Sequence, residues 1–272
     1  MRRRRSLWNK VFRPALGRAY VRIKGGNREP SWVLWEIILP MIMIASVIWA
    51  YEHLGAPPIF KGFVILGGAM MSYWYNVLWG MGRTLYWEKE TGNLELFLLS
   101  DSKLPGLLLG MAFGGMFNTS IRSIAVIIMG VYFFNAEFNI DSLPTALAIF
   151  FLTLVALYGL GLGLSGLHIV YGRMGVRINE ALDEPIMFLS GQYYPISTFP
   201  LLIQYIAGLI PLAVGLDGVR RALLLGEGLN TLYIHVIALA IMMVVFYLLG
   251  VRMLNRLVEK GKRDGRLILR WM

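Results

Sequence analysis

Residues 143–171 read LPTALAIFFLTLVALYGLGLGLSGLHIVY, a stretch without a single Asp, Glu, Lys or Arg. About 20 consecutive apolar residues are enough for an α-helix to cross the hydrocarbon core of a bilayer. Within lipid, a chain segment must satisfy its backbone hydrogen bonds internally, and a helix does so. The stretch therefore predicts a membrane-spanning helix, and the neighbouring segments are expected to fold in or beside the membrane.

Comparable apolar stretches recur on both sides of this segment. Of the 272 residues, 57% are hydrophobic and 15% are charged, against about 25% charged residues in ordinary soluble domains. We predict an all-α polytopic membrane protein, a single domain over residues 1–272 with six transmembrane helices. The predicted spans are residues 32–51, 62–81, 104–134, 143–171, 176–192 and 232–253.

The fifth span is the weakest, because Asn179, Glu180, Asp183 and Glu184 interrupt it. We include it because both chain ends are basic: residues 1–28 hold ten Lys/Arg and no acid. Basic segments beside spans favour the cytoplasmic side, and two cytoplasmic termini require an even number of spans. The acids are then expected in the first turns of the fifth helix, where the helix dipole favours negative charge.

The net charge of +10 lies mostly beside membrane spans, which argues against nucleic-acid binding. Residues 254–272 form a predicted basic cytoplasmic tail, and residues 1–31 a predicted amphipathic helix on the cytoplasmic face; a disordered basic arm is the alternative. The chain has no Cys and three His, so we expect no metal site and no cofactor within it. The apolar residues of the predicted N-terminal helix are Leu7, Trp8, Val11, Phe12, Leu16, Tyr20 and Val21.

Residues 193–228 fit neither a clean span nor a soluble loop. Pro195, Pro200 and Pro211 divide them into apolar runs that are each too short to cross a membrane alone. Re-entrant or interfacial helices are therefore predicted. In the six-span topology this pair lies on the extracellular side, before the last span.

Residues 83–106 read RTLYWEKETGNLELFLLSDSKLPG and lie between two predicted spans on the cytoplasmic side. Glutamates supply charge, leucines supply an apolar surface, and Gly92 permits a turn. Such an element suits docking on a cytoplasmic partner. A solvated loop with an interfacial end is equally compatible with these residues.

Residues 88–95, EKETGNLE, resemble the Glu-x-Glu-x-Gly-Thr-Leu-Glu signature of the ABC-2 family of transporter permeases. Asn93 replaces the usual Thr, and Asp101 replaces a usual Pro. Residues 189–200, LSGQYYPISTFP, resemble the family's Ser-Gly-x-x-Phe-Pro stretch, with Tyr194 in place of Phe. The resemblance covers nearly the whole chain.

The resemblance implies the permease subunit of a bacterial or archaeal exporter in the cell membrane. It implies an ABC ATP-binding subunit in two copies and a second permease chain as homodimer or heterodimer, with membrane lipids as further partners of this chain. The chain has no Gly-x-x-x-x-Gly-Lys-Ser/Thr motif, so ATP and Mg are expected on that separate subunit and no enzyme activity on this one. The coupling residues would be Glu88, Glu90, Gly92, Leu94 and Glu95, and the extracellular gate Tyr194, Pro195 and Pro200.

Arg122 stands near the middle of the third span, close to Asn118. A charge at that depth costs about 2.5–3.5 kcal/mol on insertion scales, so it should face protein or water. Either it lines the substrate pathway and meets an anionic head group, or it forms a structural pair, for example with an acid of residues 180–184, or its helix is bent inside the bundle. Tyr75 and Trp79 share a helix face and suit stacking on a planar substrate or contact with lipid.

The leading hypothesis is thus ATP-driven export of a lipid, drug or glycan-type substrate by alternating access. A secondary active transporter or a lipid scramblase is the alternative. Secondary transporters usually place carboxylates near the bilayer midplane, whereas the acids here stand near span ends.

Overall fold

The computed structural model describes residues 11–99 and 104–267, and every regular element within these ranges is helical. This confirms the all-α prediction for them. Leu7, Trp8 and the last residues of segments 83–103 and 254–272 lie outside the described ranges. The α-helices are α1 (Arg13–Gly26), α2 (Pro30–His53), α3 (Ile59–Tyr75), α4 (Thr84–Glu90), α5 (Asn93–Leu99), α6 (Leu104–Phe134), α7 (Leu143–Tyr171), α8 (Arg173–Ser190), α9 (Leu201–Ala207), α10 (Pro211–Leu225) and α11 (Tyr233–Arg263).

Four of the described helices are long and apolar enough to cross a membrane: α2, α6, α7 and α11. The helices α9 and α10 meet at 97° and add a fifth if they form one broken span; a re-entrant pair has the same geometry. The chain is thus a multi-pass membrane protein. The count of six stays a prediction, because α3 has only 17 residues before a π-helical turn and α8 is polar.

The polar residues of α8 lie elsewhere than the sequence suggests. Glu180 and Asp183 stand beyond the first turn, which contains no acid, so the expected stabilisation by the helix dipole is wrong. Instead, Asn179 Nδ2 donates to the Leu78 carbonyl at 2.7 Å, and Trp74 Nε1 donates to Asp183 Oδ1 at 3.2 Å. Asn179 and Asp183 therefore face α3 and its π-helical extension, whereas Glu180 and Glu184 are exposed.

Glycines bring α7 into direct contact with α11. A side chain at Gly159 would overlap the α11 backbone at Phe246 and Tyr247, and one at Gly163 would meet Met253. Small residues in this pattern let membrane helices approach closely enough for backbone packing. The Gly159–Gly163 pair thus serves helix packing, as its spacing predicts.

A second glycine series places α1 along α6. Gly106, Gly110 and Gly114 recur at i, i+4; a side chain at Gly110 or Gly114 would overlap α1, and one at Gly106 would overlap Val11 just before it. Leu16 and Tyr20 lie on the exposed side of α1, which suits contact with lipid at a membrane surface. The structure thus contains a helix at residues 13–26 of the predicted N-terminal segment, and its position at a membrane surface stays a prediction.

We expect Gly110→Leu to displace α1 from α6, because an added side chain meets the Ala15 carbonyl and the Arg18 stem. Overpacking of this kind costs about 1–3 kcal/mol. Trypsin should then cleave α1 faster in the detergent-solubilised protein. Gly17→Leu is the matched control, since a Cβ there has nothing within 4 Å; equal cleavage of both variants would contradict this packing.

Candidate functional site

A polar cavity of about 320 Å³ lies where α1, α2, α3 and α6 approach one another. It brings together three of the four predicted pathway residues, which the chain separates widely: Tyr75, Trp79 and Arg122. The fourth, Asn118, lies behind the cavity wall. The complete lining is Arg22, Glu36, Pro40, Ser72, Tyr75, Asn76, Trp79, Gly80, Thr119 and Arg122.

One wall of this cavity is the π-helical turn Asn76–Met81 that extends α3. Such turns are rare and occur frequently at functional sites. Within it, Asn76 Nδ2 donates to the Tyr158 hydroxyl at 2.8 Å. Gly80 leaves open the space between the Asn76 amide and the Arg22 guanidinium, because a Cβ there would lie 2.7 Å and 3.0 Å from them.

Arg122 pairs with Glu36 of α2 and not with the acids of residues 180–184. Its Nη1 lies 2.5 Å from Glu36 Oε2, and its Nη2 donates to the Gly26 carbonyl at 3.1 Å. The expected pairing with residues 180–184 is therefore wrong, because α2 supplies the carboxylate at the end of α1. Arg122 is thus paired within the protein and also lines the cavity, and its role in a substrate pathway stays a prediction.

Asn118 holds the end of α1 in place. Its Nδ2 donates to the Arg22 carbonyl at 3.1 Å, and its Oδ1 accepts from Asn27 Nδ2 at 2.8 Å. The side chain is buried. Asn118 thus positions Arg22 at the cavity, and it does not line the cavity itself.

The predicted coupling segment is a helical hairpin, α4 followed by α5, with the turn at Gly92. This glycine has φ of +79°, in the left-handed region that favours glycine. Glu88 is buried and forms an ion pair with Arg18 of α1. Leu94 is buried in a core cluster with Leu85 and with residues of α7 and α11. One side of the hairpin therefore packs against the helix bundle.

The other side of the hairpin exposes apolar side chains. Trp87 is 53%, Leu96 67% and Leu99 85% exposed, while Glu90 and Glu95 are half-buried at its edge. Burial lowers the pKa of Lys89, whose Nζ is 3.5 Å from the Ile169 carbonyl. The accessible surface is thus more apolar than the glutamate-rich sequence suggests.

The predicted gate residues surround a small aromatic cluster between α8 and α9. The Tyr194 hydroxyl donates to the Phe188 carbonyl at 3.1 Å, and its ring lies 5.3 Å from that of Phe199. Pro195 begins the short turn that follows, and Pro200 precedes the first residue of α9. A proline therefore directly follows each of the two cluster residues Tyr194 and Phe199.

Arg220 of α10 is an important residue that the sequence analysis missed. It is 5% exposed and donates to the carbonyls of Phe63 at 2.9 Å, Gly191 at 2.8 Å and Gln192 at 2.6 Å. It thereby joins α3, the end of α8 and α10. Its spacing is a signal in the sequence: Arg220 stands four residues after the apolar Leu216 and shares its helix face, which predicts that Arg220 faces the protein interior.

The charged neighbours of Arg220, Asp217 and Arg221, have their partners outside α10. Arg221 Nη2 lies 2.9 Å from Glu227 Oε1, beyond the end of α10. Asp217 Oδ2 lies 2.9 Å from His235 Nε2 of α11. These three side chains connect α10 to three different parts of the protein.

The described residues form a helical, multi-pass membrane protein with a polar cavity between α1, α2, α3 and α6, an architecture that suits a membrane transport domain. The model of the ABC-2 type transporter family matches residues 18–224. The chain belongs to this family, as its sequence motifs predict, and membership implies an ATP-binding partner subunit. The matched range includes the α4–α5 hairpin and the polar cavity.

Two curated proteins are similar to part of the chain, both called Nodulation protein J. The protein from Rhizobium leguminosarum bv. viciae is 30% identical over 111 residues, 41% of this chain and 42% of that protein. The protein from Rhizobium leguminosarum bv. trifolii is 31% identical over 115 residues, 42% of this chain and 43% of that protein. The match thus spans less than half the length of each relative.

Proposed function

We propose that this chain is the permease subunit of an ATP-driven exporter in the cell membrane, with both termini in the cytoplasm. Two copies of a separate ABC subunit bind ATP and Mg, and a second permease chain completes the transporter. The observation that carries the proposal is the family match over residues 18–224. It includes a hairpin with an exposed apolar face, suited to contact with a soluble partner.

The α4–α5 hairpin is the coupling element in this proposal. Trp87, Leu96 and Leu99 supply an exposed apolar surface for the ATP-binding subunit. On the opposite side, Leu85 and Leu94 pack among residues of α6, α7 and α11. Because packed cores transmit displacement and deform little, movement of the partner would shift these helices together.

The substrate path of the proposal passes the polar cavity at Tyr75, Trp79 and Arg122. Alternating access would open this region to one side of the membrane and then to the other. The segment with Tyr194, Pro195 and Pro200 would act as the extracellular gate. A lipid, drug or glycan-type substrate fits a cavity that offers both charged and aromatic side chains.

Co-purification tests this proposal directly. The full chain would be isolated from native membranes in mild detergent, and its associated proteins identified by mass spectrometry. We expect a stoichiometric soluble subunit that carries a Gly-x-x-x-x-Gly-Lys-Ser/Thr motif. A permease that purifies without any ATPase, even after crosslinking, would overturn the proposal in favour of a secondary active transporter or a lipid scramblase.

The double variant Trp87→Ser, Leu96→Ser should bind the ATP-binding subunit at least about tenfold more weakly. A tryptophan that becomes fully buried at the centre of an interface contributes about 2 kcal/mol or more, enough for this loss. The measurement is the amount of ATPase retained at graded dilution. Leu202→Ser, Tyr205→Ser is the matched control, with equally exposed side chains on α9. Similar losses in both variants would exclude the hairpin as the docking surface.

A further inference from the structure

The charges of the polar cavity do not balance. Its lining contains two guanidiniums, Arg22 and Arg122, and one carboxylate, Glu36. Glu36 forms its ion pair with Arg122. Within residues 11–99 and 104–267, no carboxylate forms an ion pair with Arg22. Among the described residues, the cavity lining thus holds two positive charges and one negative charge, an excess of one positive charge.

Contacts with α6 hold Arg22 at the cavity. Its backbone carbonyl accepts from Asn118, and a glycine contact at Gly114 seats its Cβ against α6. Burial lowers the pKa of Arg22 most and the nearby Arg122 guanidinium lowers it further, while the Glu36 carboxylate, shared with Arg122, raises it. A guanidinium remains charged after such a shift, and an anion at this point would relieve the repulsion.

Neutral polar groups complete a binding environment around Arg22. Ser72, Asn76 and Thr119 line the cavity together with the Tyr75 side chain. Gly80 leaves room beside the guanidinium, since a Cβ at that position would lie 3.0 Å from Arg22 Nη2. Hydroxyl and amide groups beside an arginine suit the several oxygens of a phosphate or carboxylate, which arginine binds through paired N–H donors.

We propose that this cavity binds one phosphate or carboxylate group, held by Arg22, while Glu36 continues to neutralise Arg122. Trp79 and Tyr75 then contact the apolar or sugar portion next to the anionic group. That the group belongs to the transported molecule rests on the function proposed above; the binding itself does not. The ligand class is therefore an amphipathic molecule with a single anionic group.

Calorimetric titration of the purified full-length permease in uncharged detergent tests this site without any ATPase. The probes are a short-chain phosphatidic acid and, separately, inorganic phosphate. We expect saturable binding that Arg22→Gln weakens at least about tenfold, since hydrogen bonds to charged groups are the strong ones. Glu36→Gln should tighten binding, because it removes the competing carboxylate. An increase in affinity cannot result from misfolding.

The matched control is Lys24→Gln, which removes the same charge from an exposed position of α1. If Lys24→Gln loses as much binding as Arg22→Gln, the effect is one of general surface charge and the proposal is overturned. The proposal is also overturned if neither probe binds. Tight binding of phosphatidic acid alone identifies a lipid-linked group, and equal binding of inorganic phosphate identifies the phosphate itself. If anion binding holds while no ATPase co-purifies, only the proposed function fails.

Discussion

Arg220→Ala is expected to destabilise the protein by about 3 kcal/mol or more. A buried acceptor left without its donor costs about 1–3 kcal/mol, and this variant removes the donor from three carbonyls. Those carbonyls belong to Phe63 in α3 and to the adjacent residues Gly191 and Gln192 directly after α8. The measurement is the unfolding midpoint in detergent, followed by helical circular dichroism.

The adjacent Arg221→Ala is the matched control for this prediction. Its side chain is 40% exposed and pairs with Glu227, and exposed ion pairs contribute about 0–1 kcal/mol. Arg220→Lys should fall between the two, because an ammonium group cannot reproduce the planar fork of a guanidinium. Equal midpoints for the two alanine variants would show that Arg220 does not hold these segments together.

Arg18→Glu should reduce ATP-driven transport at least about tenfold while the ATP-binding subunit stays bound. The substitution places a second carboxylate beside buried Glu88, and like charges at that distance are strongly unfavourable. Movement of α4 would then no longer reach α1. Because Arg22 of α1 lines the cavity, movement of the hairpin would then no longer change the cavity. The measurement is substrate uptake into inverted vesicles together with ATP hydrolysis.

The reversed pair, Arg18→Glu with Glu88→Arg, should recover a large part of this transport. Arg13→Glu, an exposed change on the same helix, should leave transport near the level of the unmodified protein. Failure of the reversed pair to exceed either single variant would mean that Arg18 and Glu88 act separately and that their contact carries no coupling.

The long spans could be predicted from the sequence because hydropathy alone defines them. Residues 104–134 and 143–171 coincide with α6 and α7. The last span was expected to end near residue 253, whereas α11 continues to Arg263. Hydropathy marks where a helix leaves the membrane, and Lys and Arg continue a helix readily in water.

The site could be predicted only in part. Tyr75, Trp79 and Arg122 stand out in sequence because polar and aromatic residues are unusual in spans, and the structure places them around one cavity. Their partners depend on contacts between elements far apart in the chain. Nothing in the spacing of residues 29–36 indicates that Glu36 would neutralise Arg122, and nothing around Glu88 indicates Arg18.

The π-helical turn at residues 76–81 means that the cavity depends on the length of the chain as well as on its side chains. A π-helical turn closes its hydrogen bonds one residue later than an α-helical turn. Deleting one residue there would restore an ordinary α-helix and rotate every earlier position of α3 by about a quarter turn or more. Tyr75 would then no longer face the cavity, although the residue itself would be unchanged. When homologous chains are aligned, a single gap in this turn should therefore be treated as a change of site.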